Sequence, residues 1–158
     1  DGLPYSPSKY EEFKILPGVK DSIIKLKKMK YLCIVVTNQP DVSRGKILKE
    51  TVIKMNTFLS KELQLDDIFV CFHDDIDKCN CRKPKPGLIF EAAKKWNINL
   101  KKSYMIGDRW KDIDAGSLSG CKTIFLNNNY KEKVKSQPNF TCENLLKAVN
   151  LIEKNETN

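Results

Sequence analysis

The chain has 158 residues and a formal net charge of +8. This length suffices for one domain with a proper core, and we expect residues 1–158 to form a single domain. Positive charge can serve a nucleic-acid partner, but the lysines are spread over predicted helix faces without the aromatic side chains that would stack on bases. We therefore expect no nucleic-acid partner and interpret the charge as attraction for a small anion. No apolar run approaches the ~20 residues of a membrane-spanning helix, so we expect no membrane partner.

Apolar periodicity predicts the elements in chain order. Proline-rich residues 1–17 predict an extended loop, and a 3.6-residue apolar stripe predicts a helix from Pro17-Gly18 to about Met29. The apolar run 31–36 is typical of a strand buried on both faces of a parallel sheet, and a polar loop follows at 37–40. The later predictions are helices at about 46–64, 87–96, 108–119 and 143–153, and strands at 68–72, 103–106 and 123–126. Strands that alternate with helices predict a doubly wound α/β fold with a parallel sheet.

Four side chains that bind soft metals lie between positions 71 and 81. They are Cys71, His73, Cys79 and Cys81, and His73 is the single histidine of the chain. A Cys3His set in tetrahedral geometry is the signature of a closed structural zinc site. The alternatives are a disulfide or four unconnected loop residues. The remaining cysteines stand in ordinary contexts, which fits a cytoplasmic compartment where thiols stay reduced.

Polar residues follow three of the predicted strands. Thr37-Asn38 ends one strand, the metal loop leaves the next, and Gly107-Asp108 ends a third. Ligands of open α/β folds bind at these carboxyl ends. A hydroxyl and free backbone N–H groups can cradle a phosphate, and Lys83 supplies a point charge for the same oxygens. Asp108, with Asp112 one helical turn later, suits Mg2+.

Each of these features has a plainer explanation. Thr37 can simply end a strand, Lys83 can be a solvated loop lysine, and Asp108 can be a helix N-cap. Their order along the chain, each after a predicted strand, makes a shared phosphate site the better interpretation.

Three segments resemble known signature motifs. Val36–Gln39, Cys81–Gly87 and Gly107–Asp112 look like the second, third and fourth motifs of the haloacid dehalogenase (HAD) superfamily of phosphatases. The cysteine and histidine loop narrows the resemblance to the histidinol-phosphatase-like branch, which includes the heptose 1,7-bisphosphate phosphatases. The similarity extends from about Tyr5 to the last predicted helix.

The resemblance implies a role for each matching residue. Thr37, Asn38 and Lys83 would be catalytic, Arg44 and Arg82 would contact the rest of the substrate, and Asp108 would hold Mg2+ with support from Asp112. The four soft ligands would bind structural Zn2+. The implied activity is hydrolysis of a small sugar phosphate, with D-glycero-D-manno-heptose 1,7-bisphosphate as the first candidate and a monomeric, cap-free enzyme as the form. The alternatives are a histidinol-phosphate phosphatase, a polynucleotide 3′-phosphatase, or a catalytically dead zinc-stapled module that binds phosphate.

One family motif is absent from residues 1–158. The first motif, Asp-x-Asp-Gly-(Thr/Val), supplies the nucleophile and the general acid/base, and only Asp1-Gly2 resembles its end. In the family fold the first strand lies mid-sheet. Without it two inner strands would have unpaired N–H and C=O groups, each of which costs ~1–3 kcal/mol if buried. Such losses are large beside a typical stability of ~5–15 kcal/mol. We therefore expect this strand and its aspartates upstream, and the 158-residue chain to be inactive by itself.

Overall fold

The chain folds into two compact units of parallel α/β structure. The computed structural model describes residues 6–132 and 135–156, so Asp1-Gly2 lies outside the described residues. One unit lies within Tyr5–Cys79 and the other within Asn80–Asn158. Every strand pair is parallel, which confirms the predicted α/β class. The expectation of one domain over the whole chain stays a prediction.

The first unit contains two helices and a two-stranded sheet. Its elements are α1 (Val19–Lys28), β1 (Ile34–Asn38), α2 (Lys49–Leu63) and β2 (Asp67–Cys71). Met55 and Leu63 of α2 are buried with Leu26 of α1. Val52 is 1% exposed whereas Ile53 is 49% exposed, so Val52 is the residue of this pair that joins the core. The proline-rich segment before α1 packs the rings of Tyr10 and Phe13 edge-on against Phe58 of α2.

Strand β1 differs from its prediction in position and burial. It begins at Ile34 because the exit from α1 uses the preceding residues: Lys30 has a φ of 66°, and the Tyr31 N–H donates to the Leu26 carbonyl. It continues through Asn38, so Thr37 and Asn38 belong to the strand and not to the predicted loop. The Gln39 N–H still donates to the Cys71 carbonyl, at 2.7 Å, which extends the pairing with β2. All five strand residues are half-buried rather than fully buried.

The second unit contains a three-stranded sheet in the order β3-β4-β5. Its elements are α3 (Gly87–Trp96), β3 (Tyr104–Gly107), α4 (Trp110–Ser119), β4 (Lys122–Leu126), β5 (Phe140–Cys142) and α5 (Leu145–Glu156). Helix α4 packs on β3 and β4, and α5 packs on β4 and β5. The core of this unit includes Ile113, Ile124 and Val149, each 0% exposed.

The three-residue strand β5 was not predicted from the sequence. It is too short for an alternating pattern, and its place depends on partners elsewhere in the chain. The Asn139 side chain accepts from the Thr123 N–H at 2.7 Å, and the Asn127 N–H donates to the Cys142 carbonyl at 2.9 Å. These contacts hold the segment against β4.

Candidate active site and metal centre

The four predicted soft ligands come together beyond the end of β2. The ligand atoms of Cys71, His73, Cys79 and Cys81 all lie within 4.8 Å of one another. Cys71 is buried at the end of the strand, whereas His73 is exposed. Between His73 and Cys79 the loop turns back through a short 3-10 helix at Asp75–Asp77.

The distances within this cluster fit a tetrahedral zinc ion. Cys71 Sγ lies 3.6 Å from His73 Nδ1 and 3.7 Å from Cys79 Sγ. Bonds of ~2.3 Å to sulfur and ~2.1 Å to nitrogen in a tetrahedron separate two sulfurs by about 3.8 Å and a sulfur and a nitrogen by about 3.6 Å. A disulfide needs about 2.05 Å between sulfurs, and none of the six cysteines forms one. The donor set therefore fits a metal and not a disulfide.

Thr37 and Arg44 lie on the chain that leaves β1. Thr37 is half-buried, and its Oγ1 accepts from Gln39 Nε2 at 3.4 Å. The Arg44 guanidinium is held by two carboxylates: its Nε and Nη2 each donate to Asp74 at 2.6 Å, and its Nη1 donates to Asp41 at 3.2 Å. The hydrogen-bonded Asp74 carboxylate raises the pKa of Arg44 further above its usual range.

Lys83 and Asp112 form a buried ion pair in the second unit. Lys83 Nζ lies 2.7 Å from Asp112 Oδ1, and the two side chains are 10% and 9% exposed. Asp112 Oδ2 accepts from the Arg109 N–H at 3.1 Å, which caps the start of α4. Arg82, the residue before Lys83, is also buried. Helix α4 thus fixes the carboxylate that orients Lys83.

Asp108 directly follows β3 and contacts the loop after β4. Asn128 Nδ2 donates to Asp108 Oδ2 at 3.0 Å and lies 3.4 Å from the Tyr130 hydroxyl. Burial and then the negative charge of Asp108 raise the pKa of Tyr130. Asp108 is half-buried, so a hard carboxylate remains accessible for a divalent cation at the carboxyl end of the sheet.

A side chain in the loop after β4 also binds Arg109, the third arginine of the chain. Arg109 Nε donates to Glu132 Oε2 at 2.6 Å, and Arg109 Nη2 also pairs with Glu132. This hydrogen-bonded carboxylate raises the pKa of Arg109. Asn128 and Glu132 lie between β4 and β5, in a stretch for which the sequence predicts neither a helix nor a strand.

The sequence did not predict which carboxylate pairs with each buried or fixed cation. Asp74 pairs with Arg44, Glu132 pairs with Arg109, and Asp112 pairs with Lys83. Asp74 lies 30 residues from Arg44, and Glu132 lies 23 residues from Arg109. No periodicity or motif links positions at such separations. The closest signal was the expectation that polar loops at the carboxyl ends of parallel strands meet.

The strands are parallel, and polar and charged loops follow their carboxyl ends. This arrangement is typical of α/β enzymes that bind their ligand at the carboxyl ends of the strands. The model of the haloacid dehalogenase-like hydrolase family matches residues 8–120. The chain belongs to this family. The predicted resemblance is therefore confirmed, and so is the predicted class of phosphoric monoester hydrolase.

Curated relatives cover most of the chain. A protein from Pasteurella multocida (strain Pm70) is 31% identical in an alignment of 157 positions that covers 90% of this chain and 85% of the relative. A protein from Helicobacter pylori (strain J99) is 31% identical and covers 92% of this chain and 87% of its own length. Both are named D-glycero-beta-D-manno-heptose-1,7-bisphosphate 7-phosphatase.

Solved structures share the fold. The D,D-heptose 1,7-bisphosphate phosphatase from B. bronchiseptica, solved with magnesium and phosphate, superposes with a TM-score of 0.86 at 24% identity. The match covers 98% of this chain and 95% of that chain. A HAD-like phosphatase from Mesorhizobium loti matches with a TM-score of 0.72 at 23% identity, over 92% and 78% of the two chains. Among the residues that the structure describes, no helix is long and apolar enough to cross a lipid bilayer.

Proposed function

We propose that this protein is a Mg2+-dependent phosphatase of a small sugar phosphate, with D-glycero-D-manno-heptose 1,7-bisphosphate as its substrate. The observation that carries this proposal is the similarity to heptose 1,7-bisphosphate 7-phosphatases over about nine tenths of the chain. We further propose a structural Zn2+ in the Cys71, His73, Cys79 and Cys81 cluster, since the ligand distances fit this ion.

The residues of the second unit support phosphoryl binding. Lys83 is buried, and its ion pair with Asp112 holds the ammonium in a fixed position. An ammonium in such a place offsets negative charge on the transferring phosphoryl oxygens. Asp108 would hold Mg2+, with Asp112 in the supporting role that the family resemblance implies. The bound Mg2+ would supply further charge for the same oxygens. The structure of the phosphatase from B. bronchiseptica contains both magnesium and phosphate.

The residues of the first unit support binding of the phosphoryl group and the sugar. Thr37 Oγ1 accepts from Gln39, which leaves its hydroxyl hydrogen to donate to a phosphoryl oxygen. Asn38 shares the end of β1 with it. Arg44 and Arg82 would contact the remainder of the substrate, since a planar guanidinium can bind a phosphate with two parallel hydrogen bonds.

The proposed reaction has two steps, both of which need the two aspartates of the Asp-x-Asp-Gly-(Thr/Val) motif, which residues 1–158 lack. The first aspartate attacks phosphorus in line, the bond from phosphorus to the sugar oxygen breaks, and an aspartyl-phosphate forms. The second aspartate gives a proton to the leaving oxygen and then takes one from the water that hydrolyses the intermediate.

The test is phosphate release from D-glycero-D-manno-heptose 1,7-bisphosphate with and without Mg2+. The 158-residue chain is compared with a version in which a first strand carrying Asp-x-Asp-Gly-Thr precedes it. We expect turnover by the extended version alone, and its loss when the first aspartate becomes asparagine. A Thr37→Val variant of the extended chain, which keeps the side-chain shape and removes the hydroxyl, should lose at least tenfold in kcat/KM, a loss typical of one transition-state hydrogen bond.

Two results would contradict the proposal in different ways. Activity of the 158-residue chain by itself would show that its nucleophile lies within residues 1–158. A folded, zinc-loaded and extended chain that releases phosphate from histidinol phosphate but not from the heptose would refute the substrate and retain the reaction class.

A further inference from the structure

Arginine is rare in this chain. Of the 28 Lys and Arg residues, three are arginines: Arg44, Arg82 and Arg109. A guanidinium differs from an ammonium in its planar fork of N–H groups, which matches a carboxylate or a phosphate with two parallel bonds. Arg44 and Arg109 use this fork on a carboxylate from a distant part of the chain. Their orientation is therefore a built feature of the molecule.

The two hydrogen bonds to Asp74 leave part of the Arg44 guanidinium available. Three hydrogen bonds, two to Asp74 and one to Asp41, use three of the five N–H groups. The other two N–H groups have no hydrogen-bond partner within residues 6–132 and 135–156. With the plane of the guanidinium held by Asp74, these groups point in a fixed direction. That is the arrangement in which an arginine binds a substrate anion with little loss of conformational entropy.

Asp74 is itself held by the metal loop. It directly follows the metal ligand His73, and it begins the short helix at Asp75–Asp77. Its N–H donates to Asp77 Oδ2 at 2.7 Å, and its Oδ1 accepts from the Asp75 N–H at 2.7 Å. The Asp74 side chain is 19% exposed, compared with 35% for Asp41. Both the backbone and the carboxylate of Asp74 are thus fixed by the loop that the metal would close.

We propose that Asp74 is a positioning residue that couples the metal cluster to substrate recognition through Arg44. A metal on His73 fixes the backbone next to Asp74, Asp74 fixes the guanidinium of Arg44, and Arg44 presents its remaining N–H groups to an anionic group of the substrate. The substrate part of this inference rests on the proposed function, whereas the coupling of the metal to Arg44 does not.

The coupling is tested first without any activity. Because coupling between two sites is reciprocal, loss of the paired hydrogen bonds between Asp74 and Arg44 must also weaken metal binding. We expect Asp74→Asn and Arg44→Lys each to lower the Zn2+ affinity of the 158-residue chain, measured by competition with a chromogenic chelator, by about tenfold. Asp41→Asn is the matched control. It removes one carboxylate that binds Arg44 but keeps the two hydrogen bonds to Asp74, and it should change the Zn2+ affinity less than twofold. Unchanged affinity in the first two variants would overturn the coupling.

The orientation of Arg44 is tested by NMR. With three arginines, the side-chain Nε–H signals of the zinc-loaded chain can be assigned by single Arg→Lys substitutions. In Asp74→Asn, hydrogen exchange of the Arg44 Nε–H should accelerate at least tenfold, while that of Arg109, held by Glu132, should stay the same. Equal exchange of the Arg44 signal in wild type and Asp74→Asn would refute the positioning role.

The substrate part is tested with the extended chain. Asp74→Asn should raise KM for the heptose bisphosphate about tenfold with little change in kcat, and the Asp74→Asn/Arg44→Lys double variant should be no worse than Arg44→Lys alone. The role in recognition would be overturned if the effects of Asp74→Asn and Arg44→Lys on KM were additive. It would also be overturned if Asp41→Asn raised KM as much as Asp74→Asn does. If the extended wild type releases no phosphate, the proposed function fails, and the zinc and NMR results still decide whether Asp74 positions Arg44.

Discussion

The buried pair of Lys83 and Asp112 makes a strong prediction about stability. In Asp112→Asn the shape of the side chain is kept, but one carboxylate oxygen becomes an NH2 group. Both oxygens are in use: Oδ1 binds Lys83 Nζ at 2.7 Å, and Oδ2 accepts from the Arg109 N–H at 3.1 Å. One of the two donors must therefore face another donor, and the buried Lys83 ammonium loses the negative charge of Asp112.

The expected cost is ~3–5 kcal/mol, the usual loss when one partner of a buried ion pair is removed. The assay is urea unfolding of the zinc-loaded chain followed by circular dichroism. With an m-value of about 2 kcal/mol per molar urea, the midpoint should fall by roughly 2 M. Asp114→Asn on the same helix is the control, because its half-buried carboxylate accepts one bond from the Ser136 N–H and the amide oxygen can keep it. That variant should lose less than ~1 kcal/mol.

A second variant separates the lost charge pairing from the lost helix cap. Lys83→Met/Asp112→Asn removes the buried ammonium as well, and it should recover part of the loss while the cap to Arg109 stays impaired. The reasoning is refuted if Asp112→Asn costs less than ~1 kcal/mol, or if the double variant is less stable than the single one. A small loss would mean that solvent reaches the pair and screens it. A less stable double variant would mean that the Lys83 side chain stabilises the fold without Asp112.

Three further predictions concern single positions. Cys79→Ser should reduce bound zinc, measured by elemental analysis, to a small fraction of one equivalent, whereas a serine at Cys121 should leave it unchanged. Gly107→Ala should lower the free energy of unfolding by ~1–3 kcal/mol in the same urea assay, since an added Cβ would meet Asp112 Cβ at 2.3 Å; an unchanged midpoint would contradict this. Burial raises the pKa of Cys33 to about 11 from 9.0, so its thiol favours the folded state below pH 9 and this contribution is lost as the pH rises from 9 through 11. Stability measured over that range should fall less steeply in Cys33→Ala than in wild type.

The order of the main elements and the cluster of four soft ligands could be predicted from the sequence because they depend on local patterns. The stripe that predicts α1 and the apolar run that ends in β1 are short-range signals. The metal ligands lie within one loop, so their spacing alone shows that they can meet. The second, third and fourth motifs each follow a strand, and the parallel arrangement carries each to the carboxyl end of its sheet.

The limits of the prediction also have physical causes. The start of β1 was placed too early because a helix exit at Lys30 and Tyr31 claims the first apolar residues for hydrogen bonds with α1. Strand β5 was missed because three residues carry no usable period, and its position depends on Asn139 and Thr123 side chains that meet only in the fold.

The amino-acid sequence by itself determined the α/β class, the family and the four soft ligands. Only the tertiary structure decided which carboxylate orients each cation: Asp74 for Arg44, Asp112 for Lys83 and Glu132 for Arg109. These pairs join positions more than twenty residues apart, and any of the 20 acidic residues was a candidate partner at the level of sequence. The choice follows from which loops the parallel strands bring to the same edge of a sheet, and that is a property of packing rather than of local pattern.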